Sequence, residues 1–464
     1  MKKLYIYVTI LIIGLSFGCT DKLDVTPTLY QDTEEAISTS DGLVSLRNSS
    51  YSYTRWVYGQ YFYHFSEMLA NTDEIVFVGT YEELHDLNNK SLVPTFLWSE
   101  ESWRYAYRAI NGCNLVIDNL SVVEDADLQA SLEGDARFIR ALLYFDLVRF
   151  FSIPYGDGAG SNLSVPLVTA GVTNPDGITY PEKETVQTMF DFVETELTKA
   201  AALLPADENF FANKYSAMAM LSRYYLTIED YTKAAAYADS VIESGMFELT
   251  EEPFYAFNQA VNSSEDILTW AQTELDNEDD GGNSGMAAFY ASTNAVGRSE
   301  MVIAEEFITS TFDTFDLRGI TQFGLTNHRE ITTMYYEGFG TRARGIYSSK
   351  WLEYNTNFTF CRLVEMHLTR AEANQMLLDE GGAQVGASTP ADDLNAVLRR
   401  ANVPEVATTT IDDIKYERYR ELIFEGHRLH DTKRWKQDVG DIPWDSDRLI
   451  IPIPKKESDT NPNL

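Results

Sequence analysis

Apolar residues recur along most of this chain at steps of three and four, the spacing that gathers them on one face of a helix. Trp103, Tyr107, Ile110 and Asn114 step in this way and lead into Val116, Ile117 and Leu120. Phe138, Ala141, Leu142, Phe145 and Val148 draw a second stripe, bordered by Arg137, Arg140, Asp146 and Arg149 as ties between helices. Pro154, Pro166, Pro175 and Pro181 make the span 153–181 loop, and the helix predicted over about 185–204 stops at Pro205. From 214 to 245, Leu221, Ser222 and Tyr225 precede Ala234, Ala238 and Val241. Bulky positions on one helix thus meet small ones on the next, which is the packing logic of a tetratricopeptide pair. The same flavour returns over 361–378 and 391–400, without a clean repeat period. Between about 248 and 351 the helical stepping is lost. The pattern predicts an all-α (mainly α) fold of tetratricopeptide-like helix pairs. Its scaffold covers about 40–250 and 360–436, with a loop-rich region inserted at about 250–355.

The start of the chain reads differently. Lys2 and Lys3 precede the apolar run Leu4 to Phe17, too short for an ordinary membrane span, so residues 1–18 read as a signal peptide. Gly18-Cys19 places a small residue before a cysteine, as in a bacterial lipoprotein cleavage site. Cys19 is therefore the expected lipid anchor of a mature protein spanning 19–464, each buried methylene adding about 0.8 kcal/mol of membrane binding. A hydrophobic content of 44% argues against disorder, and a formal charge of −35 argues against nucleic acid as a partner. Cys113 and Cys361 read as packed thiols, with a disulfide left open. Aromatic residues make up 13% of the chain, and flat rings suit the apolar faces of sugars, although most must serve the core.

Several segments together resemble one family. Trp103, Tyr107, Ile110 and Asn114 match the Trp-x3-Tyr-x2-Ile-x3-Asn helix of SusD-like (SusD/RagB) proteins, and Gly134 to Leu147 matches their Gly-Asp-Ala-Arg-Phe segment. Arg362 to Ala373, Leu394 to Ala401, Glu417 to Arg428 with Asp431, Lys433, Arg434 and Trp435, and finally Ile451 to Pro454 follow in family order. The resemblance implies a helical scaffold whose loop-rich subdomain forms the ligand site. It also implies an outer-membrane, surface-facing lipoprotein that binds oligosaccharide or polysaccharide and delivers it to a SusC-like TonB-dependent transporter, over which it sits as a lid. A peptide- or glycoprotein-binding relative is the alternative. A surface glycoside hydrolase has no positive support in the sequence, which shows no zinc-protease, phosphate-loop, nucleophile-elbow or dinucleotide motif.

Charge-rich motifs read as structure. Over 417–435, drawn as one helix, Glu421 and Glu425 are expected to pair with Arg418, Arg428 and neighbouring helices, rather than His427 and His430 holding a metal. Asp276, Glu278, Asp280 and Gly281 imitate the start of a calcium loop, but Ala287 stands where a bidentate Glu is needed, so this stretch reads as solvated loop. No cofactor or metal is expected. Ligand contacts are expected among aromatics in irregular sequence: Trp98 as the anchor of an exposed platform, with Tyr81, Tyr290, Tyr335 and Tyr336 as companions. Trp56, Trp103, Trp270, Trp351 and Trp435 are assigned to the core.

Overall fold

The structure is a computed structural model and describes residues 33–208, 210–277, 284–292, 298–324, 330–340 and 343–464. Cys19, Glu278, Asp280 and Gly281 lie outside these residues. A short turn, α1 (Thr33–Ala36), precedes α2 (Ser40–Val57). Thr39 starts α2 by accepting the Gly42 amide at 3.1 Å, which satisfies one of the orphan donors of a helix start. A π turn, Tyr58–Phe62, carries the chain into α3 (Tyr63–Ala70). Strand β1 (Ile75–Phe77) and α4 (Glu82–Asn88) lead to α5 (Leu97–Asp118) and α6 (Ala126–Phe151).

The second predicted stripe is the buried face of α6: Phe138, Ala141, Leu142, Phe145 and Val148 are each at most 1% exposed. Its charges tie helices together. Arg140 donates to Asn114 on α5 at 2.7 Å and to Glu196 at 3.1 Å, and Asp146 accepts the Tyr58 hydroxyl at 2.5 Å. Glu196 belongs to α7 (Val186–Leu203), which Thr185 caps and which follows the paired strands β2 (Leu163–Pro166) and β3 (Lys183–Thr185). Residues 163–166, read from sequence as loop, are thus a strand. Helices α8 (Lys214–Thr227) and α9 (Tyr231–Ile242) form the predicted pair. Ala234, Ala238 and Val241 are wholly buried, and the approach is close enough for Ser222 Oγ to donate to the Ala234 carbonyl at 2.8 Å.

The inserted region carries more regular structure than its sequence announced. It holds β4 (Asp266–Trp270), α10 (Gly285–Tyr290), β5 (Met301–Ile303), α11 (Glu305–Thr311), β6 (Thr321–Gln322), β7 (Tyr335–Phe339) and β8 (Arg344–Ser348). Strand β9 (Phe358–Arg362) then pairs with β4. Among the described residues one sheet has the order β1-β5-β8-β7-β6, its β6–β7 contact parallel and the others antiparallel. Strands of two to five residues are too short to show a two-residue period, so the sequence reads as loop where the chain is in fact a small sheet.

The scaffold resumes with α12 (Leu363–Asp379), which packs on α9, and continues through α13 (Pro390–Arg400) and α14 (Ile411–Leu422), both against α12. The span 417–435 is not one helix. It breaks after Leu422, where Phe424 and Gly426 take φ of +66° and +79°, and restarts as α15 (Arg428–Arg434) against α3. The freed amides of Phe424 and Gly426 donate to Glu67 at 3.0 and 2.9 Å. Burial pushes the Glu67 carboxyl up to about 7 despite these two donors. A last short helix, α16 (Lys455–Thr460), closes the described chain.

Where the inserted region joins the scaffold lies a buried ionic cluster. Glu421 accepts from Arg318 at 3.0 Å and Arg362 at 2.9 Å, and also pairs with Arg400. Glu425 accepts from Arg362 at 2.7 Å and Lys350 at 2.6 Å, and Arg362 also meets Glu265 at 3.2 Å. The partners expected from sequence are engaged elsewhere: Arg418 pairs with Asp431 at 2.8 Å, and Arg428 with Glu74 at 3.0 Å. His427 caps α15 and stands 3.9 Å from Glu365, while His430 stands 3.7 Å from Asp146, so each imidazole faces a different carboxylate. Cys113 and Cys361 are both free and buried.

Candidate functional site

Five separate segments bring their aromatic and polar side chains to one place. His64 comes from the first turn of α3, Tyr81 from the residue before α4, and Trp98 from the first turn of α5. Phe289 and Tyr290 end α10, and Arg298 lies just ahead of β5. Trp98 stands 6.1 Å from Tyr81 and 6.1 Å from Phe289, measured between ring centres, and its edge meets His64 at 5.4 Å. His64 in turn meets Phe289 at 5.1 Å and Tyr290 at 5.8 Å. The Arg298 guanidinium lies 5.5 Å from the ring centres of both Tyr81 and Phe289, within cation–π range, while its Nε meets Glu300 at 3.1 Å.

Local backbone holds these groups. The Ser299 amide donates to the Ala288 carbonyl at 2.7 Å, joining the Arg298 segment to α10. The Val78 amide donates to the Glu300 carbonyl at 2.9 Å, joining it to the strand that leads to Tyr81. Gly79 has no room for a side chain, because a Cβ there would lie 2.4 Å from the Phe77 ring.

The sequence expected an exposed platform, and the burial corrects that picture. Trp98 is 7% exposed, Tyr335 3%, Tyr336 1% and Tyr290 not at all; Tyr81 is half-buried. Trp98 belongs to the helix rather than to irregular sequence ahead of it, and its other edge packs on Tyr61 at 5.6 Å. Tyr335 and Tyr336 lie in β7, not in irregular sequence. Tyr336 joins the back of the cluster through its hydroxyl, which accepts the Ser292 amide at 2.7 Å. Tyr335 packs on Phe312 and stands apart. The structure therefore brings Tyr81, Trp98 and Tyr290 together, attaches Tyr336 at the rear, and separates Tyr335. Trp103, Trp270 and Trp351 are core residues as expected, whereas Trp56 and Trp435 are half-buried.

Three groups the sequence reading passed over complete the arrangement: His64, Phe289 and Arg298. The signal for His64 was its place in the aromatic run Tyr61-Phe62-Tyr63-His64-Phe65, all of which is buried. Both ring nitrogens of His64, the Tyr290 hydroxyl and the Ser292 hydroxyl are buried and unpartnered among the described residues. Each such group costs about 1–3 kcal/mol, and burial pushes the His64 imidazole down to about 3, which keeps it neutral. Burial likewise raises the Tyr81 phenol. Among the described residues the cluster thus holds neutral hydrogen-bonding groups and ring faces, with the Arg298–Glu300 ion pair at its rim.

A second concavity, an open groove of about 710 Å³, runs between α2, α5 and the 166–181 segment, with Tyr53, Trp103, Tyr107 and Tyr180 in its walls. Its polar lining is largely spent within the fold. The Tyr107 hydroxyl donates to the Pro166 carbonyl at 2.7 Å, and Asn111 makes two hydrogen bonds to the Val172 backbone, at 3.0 and 2.8 Å.

Comparison with known proteins places the chain among relatives. Residues 23–226 match a family model described as starch-binding, associating with outer membrane, and residues 325–448 match the model of the SusD family. A SusD-like protein, P2, from Formosa agariphila is 26% identical over 530 aligned positions that cover 100% of this chain and 99% of that protein. Among solved structures, a SusD superfamily protein from Bacteroides thetaiotaomicron superposes with a TM-score of 0.77 at 23% identity, covering 92% of this chain and 98% of the other. A SusD-like carbohydrate-binding protein from Bacteroides vulgatus gives 0.73 at 19% identity, with 92% and 97% covered. At these identities the superpositions establish the fold.

Proposed function

Because this chain belongs to the SusD/RagB family, we propose that it is a surface lipoprotein that captures glycan and hands it to a TonB-dependent transporter of the outer membrane. Cys19 carries the anchor in this reading. Among the described residues no helix is long and apolar enough to cross a membrane. The reading assigns capture and release, with no bond made or broken.

The observation that carries it is the half-buried rim of Tyr81 and Arg298 over the rings of Trp98 and Phe289, with the neutral polar groups of His64, Tyr290 and Ser292 buried behind it. A sugar presents apolar C–H faces and many hydroxyls, so it complements rings flanked by neutral donors and acceptors better than a charged peptide end does. Tyr81 and Arg298 form the rim that a ligand meets. Trp98, Phe289, His64 and Tyr290 back it, and Tyr336 holds the rear through Ser292.

Half of an aromatic side chain's 150–250 Å², at about 25 cal/mol per Å², is worth roughly 2–3 kcal/mol before ordering costs. Calorimetric titration of neutral oligosaccharides, acidic oligosaccharides and peptides tests the site. Tyr81→Ala and Arg298→Ala should each weaken the bound class at least tenfold, about 1.4 kcal/mol, while Tyr53→Ala in the groove leaves it unchanged. Full affinity in both rim variants, with loss in Tyr53→Ala, moves the site to the groove. Binding confined to peptides overturns the glycan assignment.

A further inference from the structure

Lys433 on α15 is buried to 4% exposure without an acidic partner among the described residues. Among the described residues its ammonium donates only to the Arg149 carbonyl, at 3.3 Å. This isolation is unusual here, because the chain has 71 acidic residues for 36 basic ones and pairs its other buried cations with care. Arg149 is engaged by Asp146 at 3.0 Å, and Arg434 by Glu372 at 2.7 Å and Asp431 at 2.9 Å. A charge taken out of water without a partner is among the costliest groups a protein can bury.

Lys433 lines a cavity of about 40 Å³. One water needs about 10–15 Å³ on this scale, so the space suits a small polyatomic group and not a sugar ring. Tyr155, Phe190 and Trp444 wall it, and Lys436, more than half exposed and 3.5 Å from Glu229, stands in the lining. We propose that this cavity is an anion site in which Lys433 meets a compact oxyanion: a carboxylate, sulfate or phosphate, free or carried on a larger molecule. The bound anion supplies the counter-charge that the fold withholds, in a charge-assisted hydrogen bond.

The titration of the amine gives the proposal a signature. Burial, and after it the Arg149 charge, push Lys433 down to about 7. The other groups facing it are Arg149 from α6, Tyr155 from the following loop, Glu229 beyond α8, and His430, Arg434 and Lys436 from α15 and its end. Burial and nearby cations hold His430 well below its ordinary range, so it stays neutral. Anion binding favours the ammonium form, so binding takes up a proton above pH 7. Affinity should then fall towards tenfold per pH unit as pH rises from about 7 to 9, and level off below 7.

The experiment titrates sulfate, phosphate and acetate, and separately a uronic acid and a sulfated disaccharide, into the wild type and Lys433→Met. Calorimetry is run at pH 6 and pH 9 with ionic strength held by chloride. Wild type should bind at least one probe with affinity reduced ten- to a hundredfold at pH 9, and Lys433→Met should lose at least tenfold at pH 6. Melting curves check that the variant folds, which removal of an unpaired buried cation favours. Binding by the inorganic ions identifies a resident ion, and binding by the sugar acids alone identifies an anionic group on a larger ligand. No binding by any probe, equal binding by both proteins, or wild-type affinity indifferent to pH overturns the proposal; the pH comparison needs no variant.

Discussion

Replacing Trp98 by Ala separates a ring that serves the fold from one that serves a ligand. The ring is 7% exposed and lies between 5.4 and 6.1 Å from Tyr61, His64, Tyr81 and Phe289. Its burial of about 150–250 Å² at roughly 25 cal/mol per Å² is worth about 4–6 kcal/mol as an upper bound. Measured truncations of large aromatics in cores cost about 3–5 kcal/mol. The half-buried Tyr81 can settle partly into the space, so the lower end, about 3 kcal/mol, is the expectation. A domain stable by about 5–15 kcal/mol remains folded after such a loss. Urea unfolding followed by far-ultraviolet circular dichroism measures it as a lowered midpoint at unchanged slope. Trp98→Phe, which keeps a ring in place, should lose less than half as much. A midpoint within error of wild type, in a Trp98→Ala protein that no longer binds glycan, refutes the reasoning and returns Trp98 to the ligand.

Two further outcomes follow from other parts of the molecule. Glu421→Gln removes the charge that Arg318, Arg362 and Arg400 share, and should cost about 3–5 kcal/mol in the same unfolding assay. The arginines hold the Glu421 carboxyl well below its ordinary range, so its stabilisation is present above about pH 4.5 and lost as pH falls further; a variant whose acid sensitivity and midpoint match wild type contradicts this. Cys19→Ala should shift the protein from the membrane to the soluble fraction and abolish fatty-acid labelling, whereas continued membrane attachment without label in the wild type places the anchor elsewhere.

Much of the scaffold was legible because helices long enough to repeat their stripe several times carried strong caps. Thr185 before α7 and Asn213 before α8 are such signals. The start of α5 was not legible, since Phe96 occupies the cap position without a side-chain hydrogen bond, and Trp98 therefore looked like irregular sequence. The break between α14 and α15 depends on Phe424 at positive φ, which sequence does not suggest for a bulky residue. Tyr335 and Tyr336 likewise looked like irregular sequence, with Gly338 close by; that glycine gives clearance in β7, where a Cβ would strike Ser292 Oγ. The cluster's ring residues were partly visible as aromatics in odd places, but their convergence depends on contacts between segments more than two hundred residues apart, such as His64 with Tyr290.

The ionic cluster beneath the inserted region has a consequence for how such a protein can change. Its members sit at both ends of the insertion, Glu265 at one and Lys350 and Arg362 at the other, with Arg318 midway. The described segments between these pins are held at their base by charge pairs whose partners, Arg400 for Glu265 and Glu417, Glu421 and Glu425 for the cations, lie outside the insertion in the scaffold. Lengthening a loop costs little, about 0.6 kcal/mol for each doubling. Segments between the pins can therefore be swapped, grown or shortened while the socket and the helices below keep their register. Change confined to the stretches between Glu265, Arg318 and Lys350 would leave the four fasteners themselves untouched.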